Sequence, residues 1–361
     1  MIYLVYAILF FAGLQLITVL INFIFSQKLK ETKIDGNPTV SVLIPARNEE
    51  KNIGKIIEDI INQSYKSIEL IIFDDNSSDN TANIVSEKIK QDKRIKLLKS
   101  TELPKNWLGK NWACHNLAKN AKGDYLLFLD ADVRAKSNLI KKTLAYSQKY
   151  KLGLLSIFPK QIMKTFGEKL TVPLMHYILL TLLPLIFVRK SIFKSHSAAN
   201  GQFMLFDAKI YTKYLPHKLF KSEKVEDIKI SRFYKSQKKA VACITGTNEI
   251  TCRMYEDYNQ AVNGFSKNIV MFFGNTYIFT VLFWLFNTLS LLFCFIEGYE
   301  FAIIYLVGLL LIRVFFSLAA KQNIFQNIIL FYPQMIVMII IVYKSLINKI
   351  TKKQIWKERL V

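Results

Sequence analysis

The sequence predicts an α/β domain, a mostly parallel sheet with helices on both faces, set between transmembrane helices at both ends. Three observations predict it. From Val40 onward, short apolar strands alternate with amphipathic helices. Ile2 to Phe25, Ile269 to Phe295 and Phe301 to Ala320 are each long enough to cross a bilayer core of about 30 Å, and Ile324 to Tyr343 is a fourth candidate. Two of the strands end abruptly in acidic residues, Asp74-Asp75 and Asp130-Ala131-Asp132.

Val40 to Ile44 reads as a buried strand, and Ile53, Ile56, Ile57, Ile60 and Ile61 recur behind it at helical spacing. Ile68 to Phe73 is the second strand. The turn Asp74 to Asp79 is rich in capping residues, after which Ile84, Val85 and Ile89 mark a helix. Ile95 to Leu98 is a third strand, and a helix from Trp112 to Ala121 leads into the strand Tyr125 to Leu129. Leu152 to Phe158, Gln202 to Phe206 and Ala240 to Ile244 read as further strands, and Val225 to Lys238 as a helix. Leu170 to Val188 is apolar but interrupted by Pro173 and Pro184. A segment so broken is expected to lie in the membrane interface, holding the body against the bilayer.

The expected organisation is a transmembrane anchor at 1–26, a body at 38–268 with its interfacial segment at 170–188, a membrane region at 269–345 and a basic tail at 346–361. The first apolar run lacks a basic start and is long for a signal peptide, which favours an uncleaved anchor. The chain has 361 residues and a formal charge of +22. Its lysines are scattered and form no nucleic-acid motif, so no nucleic-acid partner is expected. Lys28, Lys30 and Lys33 after the first run, and Lys349, Lys352, Lys353, Lys357 and Arg359 at the end, suit an anionic bilayer surface and place the body on the cytosolic side of the cell membrane. Three further spans would leave the basic end on the other side; Pro333 interrupts the last stretch, and a re-entrant segment would restore parity. Cys114, Cys243, Cys252 and Cys294 show no paired spacing, as a reducing compartment allows. A transporter is disfavoured, because Arg313 is the main ionisable group within the spans.

Two carboxylates one residue apart at a strand end, Asp130 and Asp132, suit a hard cation such as magnesium or manganese bridging a diphosphate, or else they solvate a turn. Asp74-Asp75 at the end of another strand either accepts hydrogen bonds from a base or ribose or caps the next helix, a task open to Asp79 and Thr81 as well. His115, His176, His196 and His217 lie far apart and read as satisfied or solvated side chains.

Three strings in order, Ser41-Val-Leu-Ile-Pro-Ala-Arg-Asn-Glu-Glu50, Asp74-Asp-Asn-Ser-Ser-Asp-Asn-Thr81 and Phe128-Leu-Asp-Ala-Asp-Val133, resemble the nucleotide-binding half of family 2 glycosyltransferases, with their Rossmann-like GT-A fold. The resemblance implies that Pro45, Arg47 and Glu49 line a nucleotide pocket together with Asp130, that Asp75 meets the base and that Asp132 is the principal metal ligand. Lys110, in Trp107-Leu-Gly-Lys110, resembles a basic residue near the donor, or is a solvated lysine at a helix start. Val225-Glu226-Asp227-Ile228 resembles the family's Glu-Asp motif and makes Asp227 the general base, with Glu226 beside it; without the family, the pair reads as ordinary helix capping. Asn200-Gly-Gln-Phe203 resembles a small-residue turn near acceptor and sugar, which assigns Gly201 and Gln202 there, or is only a turn. Arg253 either binds donor phosphate or pairs with Glu256 or Asp257.

The Gln-x-x-Arg-Trp motif of processive polysaccharide synthases is absent, so a long polymer is not the expected product. Gly264-Phe-Ser-Lys-Asn268 and the apolar ends make the chain similar to the carotenoid- and hopanoid-associated branch of the family. The expectation is an inverting, membrane-bound enzyme that moves one sugar from a nucleotide-sugar, a UDP-sugar, to a lipid acceptor of carotenoid or other isoprenoid type, with Mn2+ or Mg2+. A short-polymer synthase and a catalytically silent scaffold are the contrasting readings.

Overall fold

In the computed structural model residues 1–100, 102–351, 355–356 and 359–360 are described, and they gather into two compact units. One comprises residues 27–160 and 187–252, and the other residues 1–26, 161–186 and 253–361. Of the expected basic tail, Lys352, Lys353 and Lys357 lie outside the described residues.

Up to residue 252 the strands are β1 Val40–Ala46, β2 Ile68–Asp74, β3 Ile95–Lys99, β4 Tyr125–Leu129, β5 Val133–Ala135, β6 Leu154–Ile157, the short β7 Lys160–Gln161, β8 Phe203–Asp207, β9 Val241–Ile244 and β10 Ile250–Cys252. A seven-stranded sheet runs in the order β3-β2-β1-β4-β8-β6-β9. β1 pairs in parallel with β2 and β4, and β6 with β9, while β8 runs antiparallel to β4 and β6. β1, β2 and β4 are apolar almost throughout because helices cover both faces of such a sheet. Behind β1, the buried Ile53, Ile56, Ile57 and Ile60 of the helix Ile53–Ile61 repeat at helical spacing, and that helix packs beside the helix Thr81–Gln91 and β5. The turn into β4 needs Gly123: a Cβ there would lie 2.6 Å from Ser41 Oγ and 2.7 Å from the Ser41 backbone nitrogen. β5 and β10 pair antiparallel in a small second sheet.

Most strand ends agree with the sequence reading to within a residue or two. The helix expected from Trp112 instead runs Gly109–Asn120, because the Leu108 N–H is held by Lys221 O at 2.9 Å and the chain turns helical immediately afterwards. The helix expected to reach Lys238 ends at Ser236, and Lys238 adopts a left-handed conformation, φ 55°.

In the other unit, Ile2–Ile24, Tyr299–Ala320 and Phe331–Thr351 are long and apolar enough to cross a membrane. The expected run Ile269 to Phe295 is divided. Ile269–Phe273 is a 3-10 turn closed by Gly274, and the rest forms the helices Tyr277–Thr288 and Ser290–Glu297, bent by 51°. No proline causes the bend. Asn287, Thr288 and Ser290 each bond the carbonyl four residues back, at Phe283, Trp284 and Phe286, and such back-bonding bends helices. The run Ile324 to Tyr343 breaks at Leu330, between the helices Ile324–Ile329 and Phe331–Thr351. Pro333 therefore does not interrupt the last helix; it sits in its first turn, where a missing N–H costs nothing.

Pro173 begins the helix Pro173–Leu182, and a break at Leu183-Pro184 precedes Leu185–Lys190. Asn22, from the first long helix, fills that break. Its Nδ2 donates to Leu180 O and Leu183 O, both at 2.9 Å, and its Oδ1 accepts from Leu185 N at 2.7 Å. Arg313, 1% exposed, makes no ion pair among the described residues. Its Nε donates to Asn327 O at 2.9 Å, Nη2 donates to Gln334, and the rings of Tyr177, Phe331 and Phe316 lie 4.7, 5.0 and 5.2 Å from its guanidinium. The aromatic faces stabilise the cation where no carboxylate does.

Replacing Asn22 by Leu leaves three backbone groups at the break without partners. Thermal unfolding of the purified protein should show a loss of about 1–3 kcal/mol, the cost of unsatisfied buried polar groups. An unchanged midpoint would mean the contact contributes nothing.

Candidate functional site

The parallel pairing sends the carboxyl ends of β1, β2 and β4 to one edge of the sheet, where open α/β sheets bind their ligands. Leu43 lies opposite Phe128, so Pro45 and Asp130, each two residues further along, come level at that edge. Leu129 lies opposite Phe203, which brings the turn Asn200–Gln202 to the same edge.

The loops after β1 and β2 are knitted together. Arg47 Nη1 donates to Asp75 O at 2.6 Å and Asn76 O at 3.2 Å, and Asp75 N donates to Ala46 O at 2.8 Å. Glu49 N donates to Thr81 Oγ1 at 2.8 Å, and Glu50 N to Asp79 Oδ2 at 3.0 Å. Asp79 also accepts from Thr81 N, so it organises the turn while Asn80 occupies the cap position. Asn48 and Asn76 both take left-handed backbone, φ 52°, which asparagine tolerates better than most residues. Pro45, Arg47, Glu49 and the buried Asp75 thus share one edge.

A second group forms around Lys110. Its ammonium lies 2.7 Å from Asp130 Oδ1 and 2.9 Å from Asp130 Oδ2, and 3.5 Å from Gly201 O. Gly201 N donates to Asp227 Oδ2 at 2.9 Å. A Cβ on Gly201 would stand 3.1 Å from Lys110 Nζ, 3.5 Å from Glu226 Oε1 and 3.7 Å from Asp227 Oδ2. A side chain there would crowd the lysine ammonium, which would have to give way by a few tenths of an ångström. Gln202, next in the chain, is buried and donates from Nε2 to Cys252 Sγ at 3.0 Å, and Cys252 is also within hydrogen-bonding reach of Asp132.

One cation thus serves three acidic side chains. Burial disfavours the charged ammonium of Lys110, yet Asp130 and Glu226 overcome this and hold its pKa above the ordinary lysine value. Glu226, 7% exposed, is pushed up to about 8 by burial; Lys110 opposes the shift and Asp227 adds to it. Asp227 is raised too, again through burial, but the Ile228 N–H, Lys110 and the Gly201 N–H oppose the rise. At neutral pH Glu226 holds a proton.

Sequence reasoning missed Asn111. It is 1% exposed, and its Nδ2 donates to Phe220 O, Lys221 O and Glu223 O at 3.0, 3.2 and 3.0 Å. It ties the helix that carries Lys110 to the segment running into Glu226 and Asp227. Asn111 lies one residue before the helix expected from Trp112, and no local signal singled it out. Arg253 belongs to the other unit, where Nε meets Glu168 Oε1 at 2.7 Å; Glu168 is a partner that neither reading of Arg253 included. His217 is buried beside Tyr211 Oη at 2.7 Å, and burial lowers it to about 3, so it is neutral.

Among the described residues no three His, Cys, Asp or Glu side chains gather to cage a metal by themselves. A magnesium-type ion shared with substrate phosphates needs only one or two protein carboxylates. The oxygen donors at the end of β4, Asp132 with Asp130 two residues before it, meet that lesser requirement.

Residues 41–215 match the family Glycosyl transferase family 2. The chain is 27% identical over 246 residues to 4,4'-diaponeurosporenoate glycosyltransferase of Staphylococcus haemolyticus, covering 67% of this chain and 64% of that protein. It is 27% identical over 271 residues to the protein of the same name in Staphylococcus aureus, covering 73% of this chain and 70% of that one. The chain therefore spans about two thirds of the length of these curated relatives. Among solved structures, a mannosyltransferase from Pyrobaculum calidifontis in complex with GDP-Man and Mn2+ superposes with a TM-score of 0.56 at 14% identity, covering 96% of this chain and 99% of that one. That likeness concerns the fold, which is GT-A.

Glu226 keeps its proton in the folded protein up to about pH 8 but loses it near pH 4.5 when unfolded. Its contribution to stability is therefore complete below pH 4.5 and falls as pH rises towards 8. Glu226→Gln should flatten that part of the stability curve, measured as the unfolding midpoint from pH 4.5 to 8; a slope identical to wild type would contradict the assignment.

Proposed function

We propose that the protein, whose residues 41–215 match the family Glycosyl transferase family 2, is an inverting, membrane-bound glycosyltransferase moving one sugar from a nucleoside diphosphate sugar, a UDP-sugar, to a lipid acceptor of carotenoid or other isoprenoid type. The observation that carries the reading is the convergence of Lys110, Asp130, Gly201, Glu226 and Asp227 at the carboxyl edge of the sheet. The names of the staphylococcal relatives support the acceptor class.

Asp227 is the general base. It takes the proton of the acceptor hydroxyl or acid as that oxygen forms its bond to the anomeric carbon. The bond from that carbon to the diphosphate oxygen breaks on the opposite face, and the electron pair leaves with the nucleoside diphosphate. Inversion follows from this geometry. Gly201 N–H holds one Asp227 oxygen in place, and the protonated Glu226 limits the negative charge beside it. Lys110, paired with Asp130, supplies positive charge at the leaving-group side. Pro45, Arg47, Glu49 and Asp75 hold the nucleoside, and Gln202 the sugar side of the pocket. Asp132, with Asp130, would hold a divalent cation, which when bound neutralises charge on the departing diphosphate. Arg253 is held by Glu168 Oε1 and is the remaining candidate for the donor phosphate.

The three unbroken apolar helices support a multi-pass protein. With the bent pair Tyr277–Thr288 and Ser290–Glu297 as a re-entrant hairpin, the body and the basic C-terminal end fall on the same, cytosolic side.

Asp227→Asn should lower kcat by about 10²–10⁴, the usual worth of a positioned base, with little change in KM for the donor. The acid limb of the wild-type pH–rate profile should lie above the ordinary carboxylate range, because Asp227 must ionise and burial resists this. Lys110→Met should move that limb higher. The measurement is transfer of radiolabelled sugar from a panel of UDP-sugars to membrane lipid extract, with manganese or with a chelator. Label found only in water-soluble products would overturn the lipid acceptor, and undiminished activity in chelator the metal.

A further inference from the structure

The segment that follows the proline-broken stretch carries an ordered, outward-pointing tip. Ile192 is 85% exposed and Phe193 64% exposed, with the exposed Lys190 and Lys194 on either side. Exposed large apolar residues are ordinarily scattered; two adjacent ones at a loop tip between lysines form a distinct surface. No acidic residue occurs between Glu168 and Asp207, and among the described residues neither Lys190 nor Lys194 makes an ion pair.

The tip is held from within. Lys235 lies buried on the helix Glu226–Ser236, and its Nζ donates to Phe187 O at 3.2 Å and His196 O at 2.7 Å, closing the base of the loop. His196 Nδ1 lies 2.8 Å from Ser191 Oγ, and the His196 ring packs 5.3 Å from Phe187 and 5.9 Å from Phe193. Arg189 turns inward, over the Tyr150 ring at 3.9 Å and onto Gln27 Oε1 at 3.0 Å. That leaves Lys190 and Lys194 as the outward cations. Apolar side chains that enter the headgroup boundary, flanked by cations that meet lipid phosphates, have the composition of an interfacial anchor.

We propose that the tip Lys190–Lys194 docks into an anionic lipid surface, with Ile192 and Phe193 entering the headgroup boundary and the two lysines meeting phosphate groups. The inference deepens the proposed lipid glycosylation and rests on it only for its purpose. Lys235 and Asp227 stand eight residues apart on one helix, about 12 Å along its axis. The staple that fixes the docking loop is thus rigidly connected to the base that must meet the acceptor, so the membrane contact sets the height of the base above the bilayer.

The full chain, reconstituted in nanodiscs of zwitterionic lipid with or without an anionic phospholipid, provides the test. Its four native cysteines are buried, so a spin label attaches selectively to Phe193→Cys or, as a control, to Ser86→Cys on an exposed helix face. The label at 193 should collide more with oxygen than with a nickel complex, and the label at 86 the reverse. Water-like accessibility at 193 would overturn the proposal. Lys190→Gln with Lys194→Gln should weaken the dependence of the label's membrane exposure on anionic lipid, by about five-fold per lysine in the ratio of docked to undocked tip; dependence equal to wild type would also overturn it. If wild-type protein transfers no sugar to lipid while the label at 193 is membrane-embedded, the functional reading fails and the docking surface stands.

Discussion

Three carboxyl groups cannot be crowded at the end of a sheet without something to offset their repulsion, and here the offset is the ammonium of Lys110. It binds Asp130 directly, and its charge bears on Glu226 and Asp227. Gly201 contributes as well, since its N–H holds Asp227 and its lack of a side chain leaves room for the lysine ammonium. The resulting division of labour is electrostatic. Asp130 pairs directly with the lysine, burial pushes Glu226 up, and burial raises Asp227 too, a rise that the Ile228 N–H, Lys110 and the Gly201 N–H oppose.

Such a group needs its parts held at fixed separations, although they come from four stretches of chain. The sheet register fixes Asp130 and the Asn200–Gln202 turn, since β4 and β8 are neighbours. Asn111 fixes the rest by giving its amide to the carbonyl groups of Phe220, Lys221 and Glu223, ahead of Glu226. Polar side chains meet broken backbone in the same way in the helical unit, where Asn22 bonds the chain at Pro184 and Asn327 and Gln334 receive Arg313. In an apolar surrounding a backbone break persists only when its groups are satisfied, which is why these contacts fall where helices stop.

The periodic features were legible in the sequence. Strands flanked by abrupt acidic ends, isoleucines at helical spacing and prolines 173 and 184 all mark elements that the fold contains. The members of the Lys110 group were each singled out from strings of a few residues, because strand ends and turns are local features. What escaped was long-range. Nothing near Asn111 announces the carbonyls it meets some 110 residues away, and nothing near Arg253 points to Glu168. The bend at Leu289 escaped because it is made by side-chain hydroxyls and an amide competing for helix carbonyls, not by the proline that a reader looks for.

Asn22 also imposes an order on the making of this protein. Its amide leaves the ribosome early, whereas the groups it bonds belong to residues 158 to 163 positions later. Until translation passes Leu185, the first helix carries a polar amide with no native companion inside an apolar stretch; strands β1 to β7 have been synthesised in between, and β8 to β10 are still to come. Insertion of the first helix and its final docking are therefore separate events in time, and only the second commits the helical unit to its native form.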